Sequence, residues 1–407
     1  MKLLLCHTDY RVYWPARLRA LRQFLAERSV EMRVVEIAGT GSPYAFAEAS
    51  SGDRSNGWQI LFPHEPVEAI HPRRASLAVF KALEAYSPDV VIAGPIAFPS
   101  GATAVRWARA RNRAVIITDD ARQSDVPRGH LVNWVKRRIY ANIDALLLPA
   151  PSLVPDYESW GVARERIFFG VNAIDNEFFA SRADRARQDG ARVCREKGLP
   201  AKFVLGAGRQ VPKKNWPRLL EAWRAFKRER PDSVLHLVLV GNGPERKKLE
   251  HAAGELGLVD FQFRDFISQE EIAELYGLAR GLVLPSRRGE TWGLVVNEAM
   301  ASGLPVLVSR ECGCAANLVE DGGNGWGFAP DSTAEMAACL GRLDALSDDD
   351  WVRMGRRSRA IIAEWGLARF CQGAWDAMLH SRNAPIARRG LVDGALLGLW
   401  NGRYRPS

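Results

Sequence analysis

The stretch LPSRRGETWGLVVNEAMASGLPVLVS, residues 284–309, reads as a strand, a loop, a helix and a second strand. Leu282–Pro285 and Pro305–Val308 are short apolar runs of strand type, and between them lies a helical segment holding Glu298. Strands that alternate with helices belong to parallel sheets covered on both faces. The loop carries Glu290, eight positions before Glu298. A carboxylate in such a loop can accept hydrogen bonds from sugar hydroxyls, and one a turn into the helix can hold a ribose diol. The amides of Trp292, Gly293 and Leu294 open the helix, where unpaired N–H groups and the helix dipole favour phosphate. Paired glutamates alone are usually a solvated pair. The Gly-x-x-x-Gly loop and the helix start around these two favour a site.

The same alternation extends in both directions. Lys202–Gly206 is a strand, followed by Gly208-Arg209-Gln-Val-Pro-Lys213-Lys214-Asn215. Small residues there admit a ligand close to the backbone, and Arg209 and Lys214 supply fixed positive charge. Alone, that loop reads equally as a solvated turn. Asn215 is expected to cap the next helix, whose Leu219, Leu220, Trp223 and Phe226 share one face. Val234–Val240 is a continuous apolar strand. Ser268-x-x-Glu271 and Ser332-x-x-Glu335 are capping boxes, and Ser347 with Asp348–Asp350 reads as a helix start rather than a metal motif.

Upstream, Lys2–Cys6, Met32–Ile37, Asp89–Ala93, Ala114–Thr118, Asp144–Pro149 and Arg166–Phe169 are strands. Helical patterns separate most of them, as with Trp14, Leu18, Leu21 and Leu25. Residues 40–73 read as loops with one short strand. The fold class is therefore α/β, with two Rossmann-like doubly wound domains facing across a cleft. The expected domains are 1–180, 181–381 and a basic tail 382–407, with a polar junction at 180–200 and a second linker at 376–390.

The chain has 407 residues, 56 Lys+Arg and 47 Asp+Glu. Its length suits two or three domains, and its ordinary composition excludes disordered and fibrous classes. Residues 1–180 hold 22 basic and 19 acidic side chains, residues 181–381 hold 29 and 27, and the last 26 hold five Arg and one Asp. A diffuse positive balance suits an anionic small molecule or membrane surface, not a nucleic-acid stripe. Apolar runs are too short to span a membrane. Asp9 and Arg11 interrupt any signal-peptide core, so a cytoplasmic chain is expected, with peripheral contact on the inner face of the membrane as an option. Six scattered cysteines suggest reduced, structural residues, and Cys312-x-Cys314 lacks the partners of a zinc site.

The stretches GRQVPKKNW (208–216), LVLVGNGP (237–244), FRDFISQEEIAELY (263–276), 284–309 and CGCAANLVEDGGNGWGF (312–328) together resemble the family 4 retaining glycosyltransferases, also called glycosyl transferases group 1, of GT-B fold. The resemblance is specific over about 203–330 and weaker upstream, in SPDVVIAG (87–94) and GVNAIDNEFF (170–179). It implies that a sugar passes from a nucleotide-diphospho-sugar donor to a glycan, lipid-linked or other hydroxyl acceptor in polysaccharide or glycoconjugate biosynthesis. The donor is a co-substrate, and neither cofactor nor metal is expected.

By that resemblance Arg209, Lys214 and Glu290 are catalytic. Arg209 and Lys214 hold the diphosphate, and Glu290 meets the donor sugar. Gly208, Asp265, Phe266, Trp292, Gly293, Leu294 and Glu298 bind the donor, with Glu298 on the ribose and Asp265 and Phe266 framing the base. Trp292 and Trp326 are placed to border sugar or base. Asn172 and Asp175 match a turn near the domain junction, where Ala173 replaces the usual Gly.

One departure concerns a histidine that many members place after an N-domain strand. Here Ala114–Thr118 runs into Asp119-Asp120. Asp119 is either a polar group on the acceptor side or the cap of a turn, and His7 either faces the cleft or is structural. Arg106, Arg109, Arg111 and Arg113, with Lys136, Arg137 and Arg138, form either a lipid-facing surface near Trp107 and Trp134 or an ordinary solvated face. The tail LVDGALLGLWNGRYRP packs across the domains or touches membrane. A Rossmann dehydrogenase would need Gly-x-Gly-x-x-Gly where this chain has HTDYRVYW. A non-catalytic nucleotide-sugar-binding module and a GT-B sugar epimerase are the remaining alternatives.

Overall fold

A computed structural model describes residues 1–41, 57–125, 128–383 and 390–403. Of these, 1–123, 128–173 and those from 367 onward form one compact unit, while 124–125 and 174–366 form a second. The first holds strands β1 (Lys2–His7), β2 (Glu31–Thr40), β3 (Trp58–Pro66), β4 (Val90–Ala93), β5 (Ala114–Thr118), β6 (Ala145–Leu148) and β7 (Ile167–Phe169). They pair in the order β3-β2-β1-β4-β5-β6-β7, all parallel. Strands β4, β5 and β6 are buried throughout, which is why they read as unbroken apolar runs.

Within 40–73 the nine-residue β3 pairs with β2 at the sheet edge. Its interior Pro63 and polar His64 and Glu65 hid it from periodicity, and an edge strand tolerates such residues. The expected loops at 42–56 lie outside the described residues.

The expected junction at 180–200 is helical, Asn176–Gln188 followed by Gly190–Glu196. Phe179, Ala183 and Ala186 turn one stripe of the first helix inward, and its charged residues made the segment look like a linker. Asp175 caps this helix, accepting a hydrogen bond from the Phe178 N–H at 3.1 Å.

The helix Leu367–Asn383 packs on the first sheet. Phe370, Cys371, Ala374, Ala377 and Met378 join that unit's core. Gly373 permits the approach, because a Cβ there would lie 1.9 Å from the Phe169 carbonyl oxygen. The linker expected at 376–390 is thus helical to Asn383, and residues 384–389 lie outside the described residues. The tail helix Leu391–Leu399 also belongs to the first unit, and residues 404–407 lie outside the described residues.

The second unit contains β8 (Phe203–Ala207), β9 (His236–Val240), β10 (Phe261–Arg264), β11 (Gly281–Leu284), β12 (Val306–Ser309) and β13 (Gly325–Phe328). Their order is β10-β9-β8-β11-β12-β13, again parallel. The order reverses between β8 and β11. Loops leaving those neighbours at their carboxyl ends diverge and open a crevice where ligands bind in such sheets.

Below the crevice, Trp216, Leu219, Leu220, Trp223 and Phe226 pack with Met336, Leu340 and Leu343. A side chain buried as fully as Phe226 contributes roughly 1.5–3 kcal/mol. Ser268 and Glu271 form the full capping box. Ser332 makes half of one, because the Glu335 carboxylate instead accepts from the Ala329 N–H and pairs with Arg310. Ser347 caps Asp348–Ala363, whose first turn holds Asp348, Asp349 and Asp350. No helix among the described residues is long and apolar enough to cross a membrane.

Candidate donor site in the second unit

The loops that follow β8 and β11 meet at the switch point. Lys214 Nζ lies 2.6 Å from Glu290 Oε2, with side chains 9% and 13% exposed. The Ser286 hydroxyl donates to the same carboxylate oxygen at 3.0 Å. Burial opposes ionisation of Glu290. The charge and hydrogen bond of Lys214 outweigh it, helped by Lys213 and Ser286, and the carboxyl is held below its ordinary range. Further bonds lock the loops together. Lys213 Nζ donates to the Gly289 carbonyl at 3.3 Å, and the Arg287 N–H donates to the Lys213 carbonyl at 2.8 Å. The Lys214 stem rests over Gly208.

Asn215 does not cap its helix through its side chain. It sits at φ 56, and its buried amide donates to the Pro285 and Pro330 carbonyls at 3.1 and 2.8 Å. It is a strut between loops from three parts of the sequence, which its place before a helix could not show. The half-buried Arg209 is steadied through its own carbonyl, which accepts from the Trp216 indole N–H at 3.1 Å.

Glu298 lies in the helix Leu294–Ala301 and is buried. The Tyr276 hydroxyl donates to its carboxylate at 2.6 Å. Sequence reading passed over Tyr276, which stands in an apolar helical pattern. The available signal was that a buried Tyr hydroxyl needs a partner. Ser286, four residues before Glu290, was likewise missed.

Gly293 precedes Leu294 at the start of this short helix, at φ 105. The Trp292 side chain is placed inside the unit, 2% exposed. Its N–H donates to Asn297 at 3.0 Å, and its ring packs 5.6 Å from Trp365, so it supports the loop from below instead of bordering a sugar. Trp326 is partly buried on β13.

Cys312 and Cys314 are buried beneath the same loop, and all six cysteines are buried. Between them, Gly313 is required by close approach, since a Cβ would lie 1.7 Å from the Thr291 carbonyl oxygen. Asp265, after β10, is exposed and accepts from the Asn242 amide at 3.2 Å. Phe266 beside it is half-buried. Among the described residues no group of three or more His, Cys, Asp or Glu stands together.

In the first unit, Asp119 is buried and serves a turn. Its carboxylate accepts from the N–H groups of Asp120 and Ala121 and from the Tyr140 hydroxyl at 2.6 Å. His7 packs against Tyr10 and Trp14. Burial, then the charge of Arg17, push its imidazole down to about 4, so the ring is neutral near pH 7.

Of the basic surface expected on Arg106, Arg109, Arg111 and Arg113 with Lys136, Arg137 and Arg138, the first four residues are internally paired. Arg109 is buried against Asp144, Arg111 pairs with Glu84, Arg113 pairs with Asp89, Arg106 bonds Ser76 and Asn401, and Trp107 is buried.

Glu290 gives a pH signature. A carboxyl whose folded-state value is lowered adds stability above its unfolded value, and that contribution is lost as pH falls through the folded value. Glu290→Gln is therefore expected to flatten the acid side of the stability profile, read by thermal melting between about pH 7 and pH 3. An unchanged acid limb would dissociate the Lys214 pair from folding.

The two parallel Rossmann-like sheets, one in each unit, are those of the GT-B fold. Residues 194–359 match the family model of the glycosyl transferases group 1. The chain is 30% identical over 250 residues to a D-inositol 3-phosphate glycosyltransferase of Corynebacterium urealyticum, covering 59% of this chain and 56% of that one. It is 28% identical over 179 residues to a mannosylfructose-phosphate synthase of Agrobacterium fabrum, covering 42% and 38%. It thus spans about half, or less, of these curated relatives. In three dimensions it resembles a glycosyltransferase from Rickettsia africae, with TM-score 0.75, 13% identity, and 94% and 99% of the two chains covered. It also resembles Anabaena HepE solved with UDP and glucose, with TM-score 0.72, 17% identity, and 93% and 99% covered.

Proposed function

We propose that this protein is a glycosyltransferase that moves a sugar from a nucleotide-diphospho-sugar to a hydroxyl acceptor, glycan or lipid-linked, with retention of anomeric configuration. The observation that carries this reading is the Lys214–Glu290 pair at the β8/β11 switch point. The leaving nucleoside diphosphate gains negative charge in the transition state. Arg209, Lys214 and the amides at Gly293 and Leu294 meet that charge as fixed groups, with no metal assigned to the task. Glu290 takes the donor sugar hydroxyls and Glu298, held by Tyr276, takes the ribose. Asp265 and Phe266 frame the base, and the first unit supplies the acceptor side. The donor is a co-substrate, no cofactor is assigned, and the setting is cytoplasmic polysaccharide or glycoconjugate assembly. The names of the matched relatives support this class of reaction.

The test has two stages. Thermal-shift titration against a panel of nucleotide sugars should reveal the donor, because a ligand bound only to the folded state raises the melting temperature. Release of nucleoside diphosphate is then measured with and without sugar and lipid-linked acceptors, and with a chelator. Release that depends on acceptor and survives chelation is expected. A donor-induced shift with no release would make the protein a binding module, and loss restored by added metal would overturn metal independence.

A further inference from the structure

Six of the eleven large hydrophobic side chains exposed among the described residues lie on two helices of the first unit, His130–Tyr140 and Leu391–Leu399. Leu131, Val132 and Trp134 come from the first helix, and Leu391, Val392 and Leu399 from the second. Leu391 is 97% exposed, Leu399 83% and Leu131 72%. The helices touch, with Arg138 3.5 Å from Asp393. Asp393 and Leu397 are the buried residues of one helix and Ile139 and Tyr140 those of the other, and the exposed apolar side chains lie on these two adjoining helices. The tail helix is anchored. The Trp400 N–H donates to the Ile96 carbonyl at 2.8 Å and the Arg403 N–H to the Ala97 carbonyl at 2.7 Å. A patch of apolar side chains on a fixed surface marks an interaction site.

Its charge selects the partner. The helix His130–Tyr140 contains no acid, and the sole acid of Leu391–Leu399 is the buried Asp393 facing Arg138. Arg137 and Arg403 are exposed, and the Arg138 guanidinium lies 5.6 Å from the Trp134 ring centre. Lys136 is turned away over the Trp160 ring, 3.5 Å from its centre. A second copy docking through the same face would set one arginine rim against the other, which like charges disfavour. A bilayer carrying anionic headgroups matches every element. The leucines enter the headgroup–acyl boundary, the tryptophan sits at headgroup level, and the arginines meet phosphates.

We propose that this two-helix face docks the protein peripherally on an anionic lipid bilayer. The assignment does not depend on the donor site. In the test, full-length protein is sedimented with vesicles of phosphatidylcholine alone or with phosphatidylglycerol at about 3:1. Expected is binding to the anionic vesicles that weakens with salt, little binding to the neutral ones, and roughly tenfold or greater loss in Leu131→Gln/Trp134→Gln/Leu391→Gln/Leu399→Gln. Arg137→Gln should lose about fivefold. Unchanged melting temperatures would show that these surface changes leave the fold intact. Wild-type protein that stays in solution with anionic vesicles, or a quadruple variant that binds as well as wild type, would overturn the proposal. So would sedimentation velocity showing a dimer that the quadruple variant abolishes.

Discussion

Lys214→Ala is expected to lower turnover by about 10²–10³-fold, the usual effect of removing one preorganised group that stabilises transition-state charge. Charge develops on the leaving diphosphate, so the loss should fall mainly on kcat and less on the KM for donor. The change also removes the Lys214 ion partner of Glu290, while the Ser286 hydroxyl and the charge of Lys213 stay beside it. Lys214→Arg should recover only part of the rate, because a planar fork does not replace a compact ammonium in a site this closed. The measurement is nucleoside diphosphate release per folded molecule, with thermal melting as the check on folding. Near-normal rates in Lys214→Ala would remove this residue from the reaction and weaken the reading of the whole crevice.

Asp144→Ala is expected to produce the largest loss of stability. Asp144 and Arg109 are 4% and 0% exposed at their side chains, and the Asp144 carboxylate also accepts from the Val115 N–H at 2.7 Å. Removing the acid leaves a guanidinium buried without its counter-charge, which costs about 3–5 kcal/mol. The first unit's unfolding midpoint should drop by about 10 °C. Arg109→Met/Asp144→Leu should restore part of this, since two apolar groups of similar volume need no charged partner while the Val115 N–H loses its acceptor. Denaturant titration of the three proteins decides, and a midpoint unmoved in Asp144→Ala would contradict the assignment of this pair as a stabilising contact.

The parallel sheets were legible because buried strands read as apolar runs separated by helical periods. Ala114–Thr118 and His130–Tyr140 are placed by pattern alone. β3 was not, because an edge strand exposes half its residues and carries a proline. The loops around Glu290 were legible through glycines and charges at fixed spacing. Their supports were not. Asn215, Tyr276 and Ser286 act across separations of 115, 22 and 4 residues, and nothing in a linear pattern announces which distant carbonyl or carboxylate a polar side chain will meet. Arg109 shows the same limit in reverse, for a basic residue in a basic run looks solvated until its buried partner is known.

The helix Leu367–Asn383 makes the second unit an insertion. Apart from Ser124 and Asp125, it is a single uninterrupted piece of chain whose ends meet in a bridge between Ile174 and Gly366. It can therefore be excised at one place and its neighbours rejoined. The first unit has no such freedom, since a fragment stopping at residue 173 would lack the face that Phe370, Ala374 and Met378 provide and would need that helix returned as a separate peptide.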